Sequence, residues 1–271
     1  MRQRPISILV DALKDMGCDI EYLEKKGFPP LKINGKNILS DSVTLPADVS
    51  SQYISSLMML GVSLKNGLEI ILSSNYTSLP YILMTKKIIE RIGGVVKIQD
   101  RKIFIEQFKE KVIPEQFVES DWSSASYFFS IAALSESVKL TLSKFSKDSL
   151  QGDSKLIDIY KKFGVRTIFE DENIILKKDN KSLPKIIHLN LIDNPDIAQT
   201  ILITCLGLGI DCTLIGLHTL KIKETDRLVA LKNEIEKFEV DKIEITGDSI
   251  TLENNSDLKH DVTIDTYNDH R

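Results

Sequence analysis

The sequence repeats with a period of about 73 residues, and this period limits the possible folds more than any other feature. Four aspartates at apparent helix starts are spaced by 73, 75 and 73 residues, namely Asp48, Asp121, Asp196 and Asp269. Solenoid repeats are shorter, at roughly 20–45 residues. Each copy is therefore expected to be part of a globular domain rather than one turn of a solenoid.

The copies share one predicted order of helices and strands. After each of the first three aspartates, apolar residues recur at helical spacing, and a strand follows that begins at Gly67, Ser137 or Asp211. A second helical pattern and two short strands complete the copy. The unit is predicted to be βαβαββ, present twice in full with fragments on either side, which places the chain in the α/β class.

The two ends of the chain fall inside this unit. Residues 5–17 match the second helix of a unit, and residues 269–271 match the opening of a first helix. We therefore expect the chain to be a piece of a longer protein. On composition, the polar run at residues 177–185 is the best candidate for a linker between a larger front part and a smaller back part.

Composition argues against several classes of function. The chain has 35 basic and 39 acidic residues and a net charge of −4, which argues against non-specific nucleic-acid binding. The longest apolar run, residues 201–210, is half of the roughly 20 residues that a membrane span needs, and no signal-type stretch follows the N-terminus. We expect a cytoplasmic protein without a membrane partner.

The three cysteines show no spacing typical of a metal site or a disulfide. Cys18, Cys205 and Cys212 are therefore predicted to be reduced core residues.

Packing the copies side by side would gather the starts of their first helices at one end. Backbone N–H groups and positive dipole ends then converge there, which favours anions. Ser50, Ser51 and Gln52 stand at one such start and Ser123 and Ser124 at another, where hydroxyls beside exposed N–H groups suit a phosphate. The alternative is that each serine or aspartate only caps its own helix.

The third copy adds a candidate acid or base. Asn194 suits the helix cap and Pro195 the first helical position, which leaves Asp196 available for proton transfer. No metal site is predicted, because His188, His218 and His260 form no ligand spacing.

The KETDR motif places cations where a helix start disfavours them. We predict that Lys223 and Arg227 stand four residues apart on one face at the start of a helix, where like charges repel each other and oppose the macrodipole. Residues 269–271 (DHR) repeat this pattern, and Arg4 before Pro5 gives a third example. These coincidences predict a bound anion. The alternative is a solvated helix start, with Glu224 and Asp226 as local partners.

Seven motifs, in order along the whole chain, resemble the 5-enolpyruvylshikimate-3-phosphate synthase family. They are RPI at Arg4, SSQ at Ser50, SDWSSAS at Ser120, QGD at Gln151, PD at Pro195, KETDR at Lys223 and TYNDHR at Thr266. The resemblance implies two domains of three βαβαββ units each, the inside-out α/β barrel of enolpyruvyl transferases. It places a front domain at residues 1–167 and part of a second, incomplete domain at residues 168–271.

The resemblance also implies a reaction. The family transfers the enolpyruvyl group of phosphoenolpyruvate to the 5-hydroxyl of shikimate 3-phosphate and releases phosphate, without a metal or organic cofactor. The implied partners are these two small molecules, and the implied state is a monomer. Asp196 resembles the base for the 5-hydroxyl, Glu224 a proton carrier for the methylene carbon, and Lys223 a residue that contacts the acceptor.

Binding residues follow from the same resemblance. Those implied for shikimate 3-phosphate are Ser50, Ser51, Gln52, Ser124 and Tyr127. Those implied for phosphoenolpyruvate are Arg4, Arg227, His270 and Arg271. Thr219 stands where the family often has Asn and still offers a hydroxyl.

Departures from the family pattern limit the expectation. The family has basic residues and a Gly-rich loop before this region and a further Lys after DHR, so the chain alone is expected to fold, at least in its front domain, but not to turn over. One rival is the enolpyruvyl transferase that acts on UDP-N-acetylglucosamine, which KETDR, SSQ and the lack of a reactive cysteine oppose. Another is a non-catalytic repeat domain that only binds anions.

Overall fold

A computed structural model describes residues 2–48, 50–109, 115, 117–179, 182–255 and 257–270. The chain divides into two compact units, Met1–Gln116 and Phe117–Arg271. Each unit has a hydrophobic core of its own.

The first unit begins with a helix and a hairpin, followed by one complete copy of the repeat. The helix and hairpin are α1 (Ser7–Asp15), β1 (Asp19–Tyr22) and β2 (Leu31–Asn34). The copy consists of β3 (Ser42–Leu45), α2 (Ser51–Gly61), β4 (Leu68–Leu72), α3 (Leu79–Arg91), β5 (Val96–Gln99) and β6 (Lys102–Ile105). The helix and hairpin are what the second half of a unit should look like, as predicted for residues 5–17.

The sheet of the first unit has the order β3-β4-β6-β5. β3 and β4 are parallel and are connected through α2, whereas β6 is antiparallel to both of its neighbours. Alternate residues of β4 are buried, because successive side chains of a strand point to opposite faces. Ile70 on the buried face packs with Ile54 and Ile82 from the two helices.

The second unit contains the remaining elements of the chain. These are α4 (Trp122–Leu134), β7 (Lys139–Ser143), α5 (Leu156–Lys161), β8 (Val165–Glu170), β9 (Asn173–Lys178), β10 (Ile186–Asn190), α6 (Ala198–Leu208), β11 (Asp211–Ile215), α7 (Arg227–Glu236), β12 (Lys242–Ile245) and β13 (Ser249–Glu253). Short 3-10 turns precede α5, α6 and α7, at Gly152–Lys155, Pro195–Ile197 and His218–Ile222.

Sheet topology confirms the repeat. The sheet β10-β11-β13-β12 has the same order and strand directions as β3-β4-β6-β5. The sheet between them, β7-β9-β8, matches the last three strands of this pattern. Residues 117–120 form no strand, and residues 110–114 and 116, where the first strand of that copy would be expected, lie outside the described residues. The α/β class and the βαβαββ unit are thus confirmed.

The division of the chain into compact units differs from the predicted domain boundary. Along the chain, the first unit ends at Gln116, whereas the predicted boundary at Thr167 falls inside β8. One buried cluster includes residues on both sides of Thr167, such as Phe129 and Ile201. A domain division at residues 167 and 168 stays a prediction about the complete family fold.

Helices α4 and α6 form the centre of the second unit. Trp122 and Phe129 of α4 are fully buried and pack in an aromatic cluster that includes Tyr160 of α5, whose ring centroid is 5.4 Å from that of Phe129. The Tyr160 hydroxyl lies 2.9 Å from the hydroxyl of Thr204 on α6, and burial raises the pKa of Tyr160 to about 12. Cys205 and Cys212 are buried in the same core, as predicted, whereas Cys18 is only partly buried, so the prediction of a core position is wrong for Cys18.

Glu234 of α7 holds a segment that follows the last strand. Its carboxylate accepts hydrogen bonds from the Tyr267 hydroxyl at 2.7 Å, the Asp265 backbone N–H at 2.9 Å and the Lys237 ammonium at 2.7 Å. Burial raises the pKa of Glu234, but these donors outweigh burial and lower the pKa below its ordinary value. The ionised form of Glu234 is therefore the one that stabilises this segment.

A Glu234→Gln substitution should destabilise the chain in a pH-dependent way. Because the pKa of Glu234 is lower when folded, its contribution is complete above the unfolded pKa of about 4.3 and is lost as the pH falls through the folded pKa. Urea unfolding of wild type and variant across pH 3–7 measures this. The difference in unfolding free energy should shrink at the acidic end, and a difference that stays constant would contradict the assignment.

Gly67 should not tolerate a side chain. Its φ is +73°, and a Cβ there would lie 2.1 Å from the carbonyl oxygen of Ile105 in the neighbouring strand. Gly67→Ala is expected to lower the free energy of unfolding by about 2 kcal/mol or more. Gly35→Ala is the control, because its Cβ would meet nothing within 4 Å, and it should change stability little. Equal stabilities of the two variants in chemical denaturation would disprove the close approach at Gly67.

Candidate active site

The KETDR motif lies at the start of α7 but is not all helical. Asp226 caps the helix, with its carboxylate accepting from the backbone N–H groups of Leu228 at 3.1 Å and Val229 at 3.2 Å. The helix therefore begins at Arg227, and Lys223 lies in the bend before it. The prediction that Lys223 and Arg227 stand on one helix face is wrong, because the Asp226 cap excludes the first half of the motif from the helix.

Three carboxylates surround the guanidinium of Arg227, whose side chain is only 4% exposed. Asp269 binds it through both oxygens, with Nε–Oδ2 at 2.9 Å and Nη2–Oδ1 at 3.0 Å. Asp196 accepts from Nη1 at 3.1 Å, and Glu224 from Nη2 at 3.4 Å. The anion that the sequence predicted for this cation is thus supplied, in this structure, by carboxylates of the chain itself.

Lys223 joins the same cluster through Asp196. Its ammonium lies 3.3 Å from Asp196 Oδ1, the oxygen that also accepts from Arg227. The structure therefore brings the two cations of the motif together, although by way of a shared carboxylate rather than a helix face. We call Asp196, Lys223, Glu224, Arg227 and Asp269 the charge cluster.

His270 lies at the outer edge of the charge cluster. Its Nδ1 is 3.5 Å from Asp269 Oδ1 and 3.8 Å from Glu224 Oε1, and its side chain is 63% exposed. Among the described residues, Glu224, Asp269 and His270 offer ligand atoms within 4.8 Å of one another. Arg227 already contacts both carboxylates of this trio, so its positive charge opposes a metal cation there.

Asp196 stands in the 3-10 turn before α6, and its neighbours differ from prediction in one respect. Pro195 is at the first position of the turn, as expected. Asn194, predicted to cap the helix, makes no side-chain cap bond, and its amide instead donates to Asp153 Oδ1 at 3.5 Å. The difference arises because Asp153 is fully buried and needs donors.

Asp153 connects the turn of Asp196 to the start of α4. The hydroxyl of Ser123 donates to the other carboxylate oxygen of Asp153. The neighbouring Gln151 accepts from the backbone N–H of Trp122 at 3.0 Å and donates to the carbonyl of Ser120 at 2.8 Å. Sequence reasoning assigned no role to Gln151 or Asp153. Their only signal was the QGD motif itself, since a buried carboxylate has no local pattern.

At the start of α4 the capping residue is Asp121. It accepts from the backbone N–H groups of Ser123 at 3.0 Å and Ser124 at 3.2 Å, and from the Ser124 hydroxyl at 2.6 Å. The cap of α4 is therefore the aspartate, as the alternative interpretation allows, and not a serine. Ser124 is exposed, and Tyr127 is exposed about one turn later on the same helix.

In the first unit, Ser50 caps α2 by accepting from the Gln52 backbone N–H at 3.3 Å. Ser51 is the first residue of the helix and is buried, whereas Gln52 is exposed. The hydroxyl of Tyr53 donates to the Pro5 carbonyl at 2.5 Å, which holds the segment of Arg4 close to the start of α2. Burial raises the pKa of Tyr53, and the positive charge of Arg4 opposes this shift.

The other predicted residues lie as follows. Thr219 is buried in the 3-10 turn before α7, and its hydroxyl has no hydrogen-bond partner among the described residues. Arg271 lies outside the described residues. Arg4, Ser50, Ser51 and Gln52 belong to the first unit, and the remaining predicted residues belong to the second.

A pocket of about 550 Å³ adjoins the charge cluster within the second unit. Its walls come from α4, α6, α7 and residues 264–269, and they include Tyr127, Ile131, Ile203 and Phe238. Arg227, Glu234, Asp265 and Asp269 contribute the charged part of the wall. In the part of the chain that the structure describes, no helix has the length and apolarity to cross a membrane.

Comparison with known proteins gives one consistent result. The family model of EPSP synthase (3-phosphoshikimate 1-carboxyvinyltransferase) matches residues 1–271. The chain is 39% identical over 274 residues to the 3-phosphoshikimate 1-carboxyvinyltransferase of Bacteroides fragilis strain YCH46, and 36% identical over 273 residues to that of Colwellia psychrerythraea strain 34H. All of the chain is covered, but only 66% and 63% of these relatives.

A solved structure shows the same fold. EPSP synthase from Acinetobacter baumannii matches 95% of the chain, and 58% of its own chain is covered, with a TM-score of 0.67 and 21% identity. The match over the full length of the chain, together with the fold and the motifs, shows that this chain belongs to the EPSP synthase family.

Proposed function

We propose that this chain is part of an enzyme that transfers the enolpyruvyl group of phosphoenolpyruvate to the 5-hydroxyl of shikimate 3-phosphate. The observation that carries the proposal is the charge cluster, in which a candidate base, a candidate proton carrier and two cations meet. Family membership and the names of the relatives supply the substrates. The chain spans slightly less than two thirds of the length of those relatives, so further catalytic groups are expected from the rest of the protein.

Asp196 is proposed to accept the proton of the 5-hydroxyl. As that proton leaves, the 5-oxygen forms a bond to C2 of phosphoenolpyruvate and C3 gains a proton, which gives a tetrahedral intermediate. Lys223 and Arg227, at 3.3 and 3.1 Å from Asp196 Oδ1, fix the position of the carboxylate. A base must be held within hydrogen-bond reach of its proton, and two cations on one oxygen provide that restraint.

Glu224 is proposed to carry the proton at C3. It would donate this proton in the addition step and remove one in the elimination step, when the bond from C2 to the phosphate oxygen breaks. Its side chain is only 13% exposed and contacts Arg227 at 3.4 Å, so its position relative to Asp196 is fixed by the same guanidinium. This shared partner supports roles for both acids in one reaction.

The binding roles follow the chemistry of the substrates. Both carry phosphate and carboxylate groups, which forked guanidinium groups bind through paired hydrogen bonds. Arg227, together with Arg4, His270 and Arg271, is proposed for phosphoenolpyruvate. Residues with hydroxyl, amide or ammonium groups are proposed for shikimate 3-phosphate, namely Ser50, Ser51, Gln52, Ser124, Tyr127, Thr219 and Lys223.

Replacing the two proposed proton carriers tests this assignment. In the complete protein, Asp196→Asn and Glu224→Gln should each lower kcat by about 10²-fold or more, because general acid–base catalysis contributes roughly 10²–10⁴-fold. Phosphate release in the presence of both substrates measures the rate. Asp193→Asn is the control, since Asp193 is an exposed acid three residues from Asp196, and its kcat should stay within about twofold of wild type.

Two outcomes would contradict the proposal. Product formation that is unchanged in Asp196→Asn and Glu224→Gln would favour a binding domain whose acids do no chemistry. Phosphate release with UDP-N-acetylglucosamine in place of shikimate 3-phosphate would favour the rival enolpyruvyl transferase.

A further inference from the structure

Asp269, which binds Arg227, directly follows a strained turn. Tyr267 and Asn268 have φ values of +56° and +52°, so two successive residues with side chains adopt the left-handed conformation. Such residues are strained and persist only where surrounding contacts fix them. The turn closes through a bond from the Asp269 backbone N–H to the Thr266 carbonyl at 3.0 Å.

The contacts that fix this turn come from one side chain of α7. Glu234 accepts from the Tyr267 hydroxyl at 2.7 Å with one oxygen and from the Asp265 backbone N–H at 2.9 Å with the other. Lys237 strengthens the attachment by donating to the Thr263 carbonyl and to the Asp265 carboxylate, both at 2.9 Å. Glu234 is buried although it is charged, which is favourable only with such a full set of donors.

Helix geometry relates this attachment to the charge cluster. Glu234 and Arg227 are seven residues apart on α7, about two turns, so they share one face at a separation of about 10 Å along the axis. The segment therefore lies along this face. It is attached at Glu234 through Tyr267, and it presents Asp269 to both the Nε and the Nη2 of Arg227.

We propose that Glu234 and Tyr267 are positioning residues for the anion-binding guanidinium: their hydrogen bond fixes the turn that places Asp269, and Asp269 sets the plane of Arg227. This inference rests on the proposed function, in which Arg227 binds phosphoenolpyruvate. The two-point hydrogen bonding from Asp269 occupies Nε and one N–H of Nη2 and fixes the plane of the guanidinium. It thereby sets the direction of the Nη1 group, from which a substrate anion can accept a hydrogen bond.

Tyr267→Phe in the complete enzyme removes only the hydroxyl that reaches Glu234. We expect the KM for phosphoenolpyruvate to rise about tenfold, with the KM for shikimate 3-phosphate within about twofold of wild type. Asp269→Asn should raise the same KM at least as much. Tyr76→Phe is the matched control, because it also removes a tyrosine hydroxyl bond, to the Asp100 carbonyl at 2.6 Å in the first unit, and both KM values should be unchanged.

A double substitution separates positioning from general stability. If Tyr267 acts through Asp269, the variant carrying both Tyr267→Phe and Asp269→Asn should have the same KM for phosphoenolpyruvate as Asp269→Asn alone. Independent effects would multiply instead, and that result would overturn the inference. Glu234→Gln provides a second variant with the same expected pattern, in case Tyr267→Phe does not fold.

The controls distinguish this inference from the proposed function. If wild-type enzyme releases no phosphate from the two substrates, the proposed function fails. If the wild type is active but Tyr267→Phe leaves the KM for phosphoenolpyruvate within about twofold, or if Tyr76→Phe changes it equally, the positioning role is wrong.

Discussion

The buried guanidinium of Arg227 is the interaction on which the organisation of the second unit depends. An isolated charge removed from water is costly, and it is retained only where opposite charges and hydrogen bonds surround it. The three carboxylates that do so come from separate parts of the chain: the turn before α6, the bend before α7 and the segment after β13. One cation therefore connects three segments between which the described residues form no β-ladder.

A second buried acidic side chain connects the neighbouring helix starts. Asp153 is fully buried and binds the Ser123 hydroxyl at the start of α4 and the Asn194 amide beside Asp196. Since Asp121 caps α4 itself, the Ser123 hydroxyl can bond to Asp153 of its own copy, and the Asn194 amide connects Asp153 to the next copy of the repeat. The positions of the Asp196 turn and of α4 are thus coupled through side chains rather than through the sheets.

Much of the fold could be predicted from the sequence because its signals are local and repeated. Short apolar runs between the helical patterns predicted strands such as β4, and the recurring aspartates indicated the period of the unit. The errors occurred where a tertiary partner or a competing local cap overrides the preference of a residue. Asn194 has the right chemistry for a cap but bonds to Asp153, and Lys223 stands outside the helix because Asp226 caps it. Glu234 had no visible signal, since a lone acid in a helix resembles any solvated residue.

Arg227 and Glu234 are about two turns apart on α7, and this spacing limits the insertions that the helix can tolerate. Each residue added to an α-helix rotates everything beyond it by about 100° around the axis. One insertion between Arg227 and Glu234 would leave the helix intact and still carry Glu234 away from the phenol of Tyr267. The number of residues between Arg227 and Glu234 is thus constrained as tightly as the chemical identity of these two residues. This spacing along α7 sets where the segment that lies along the helix can be attached.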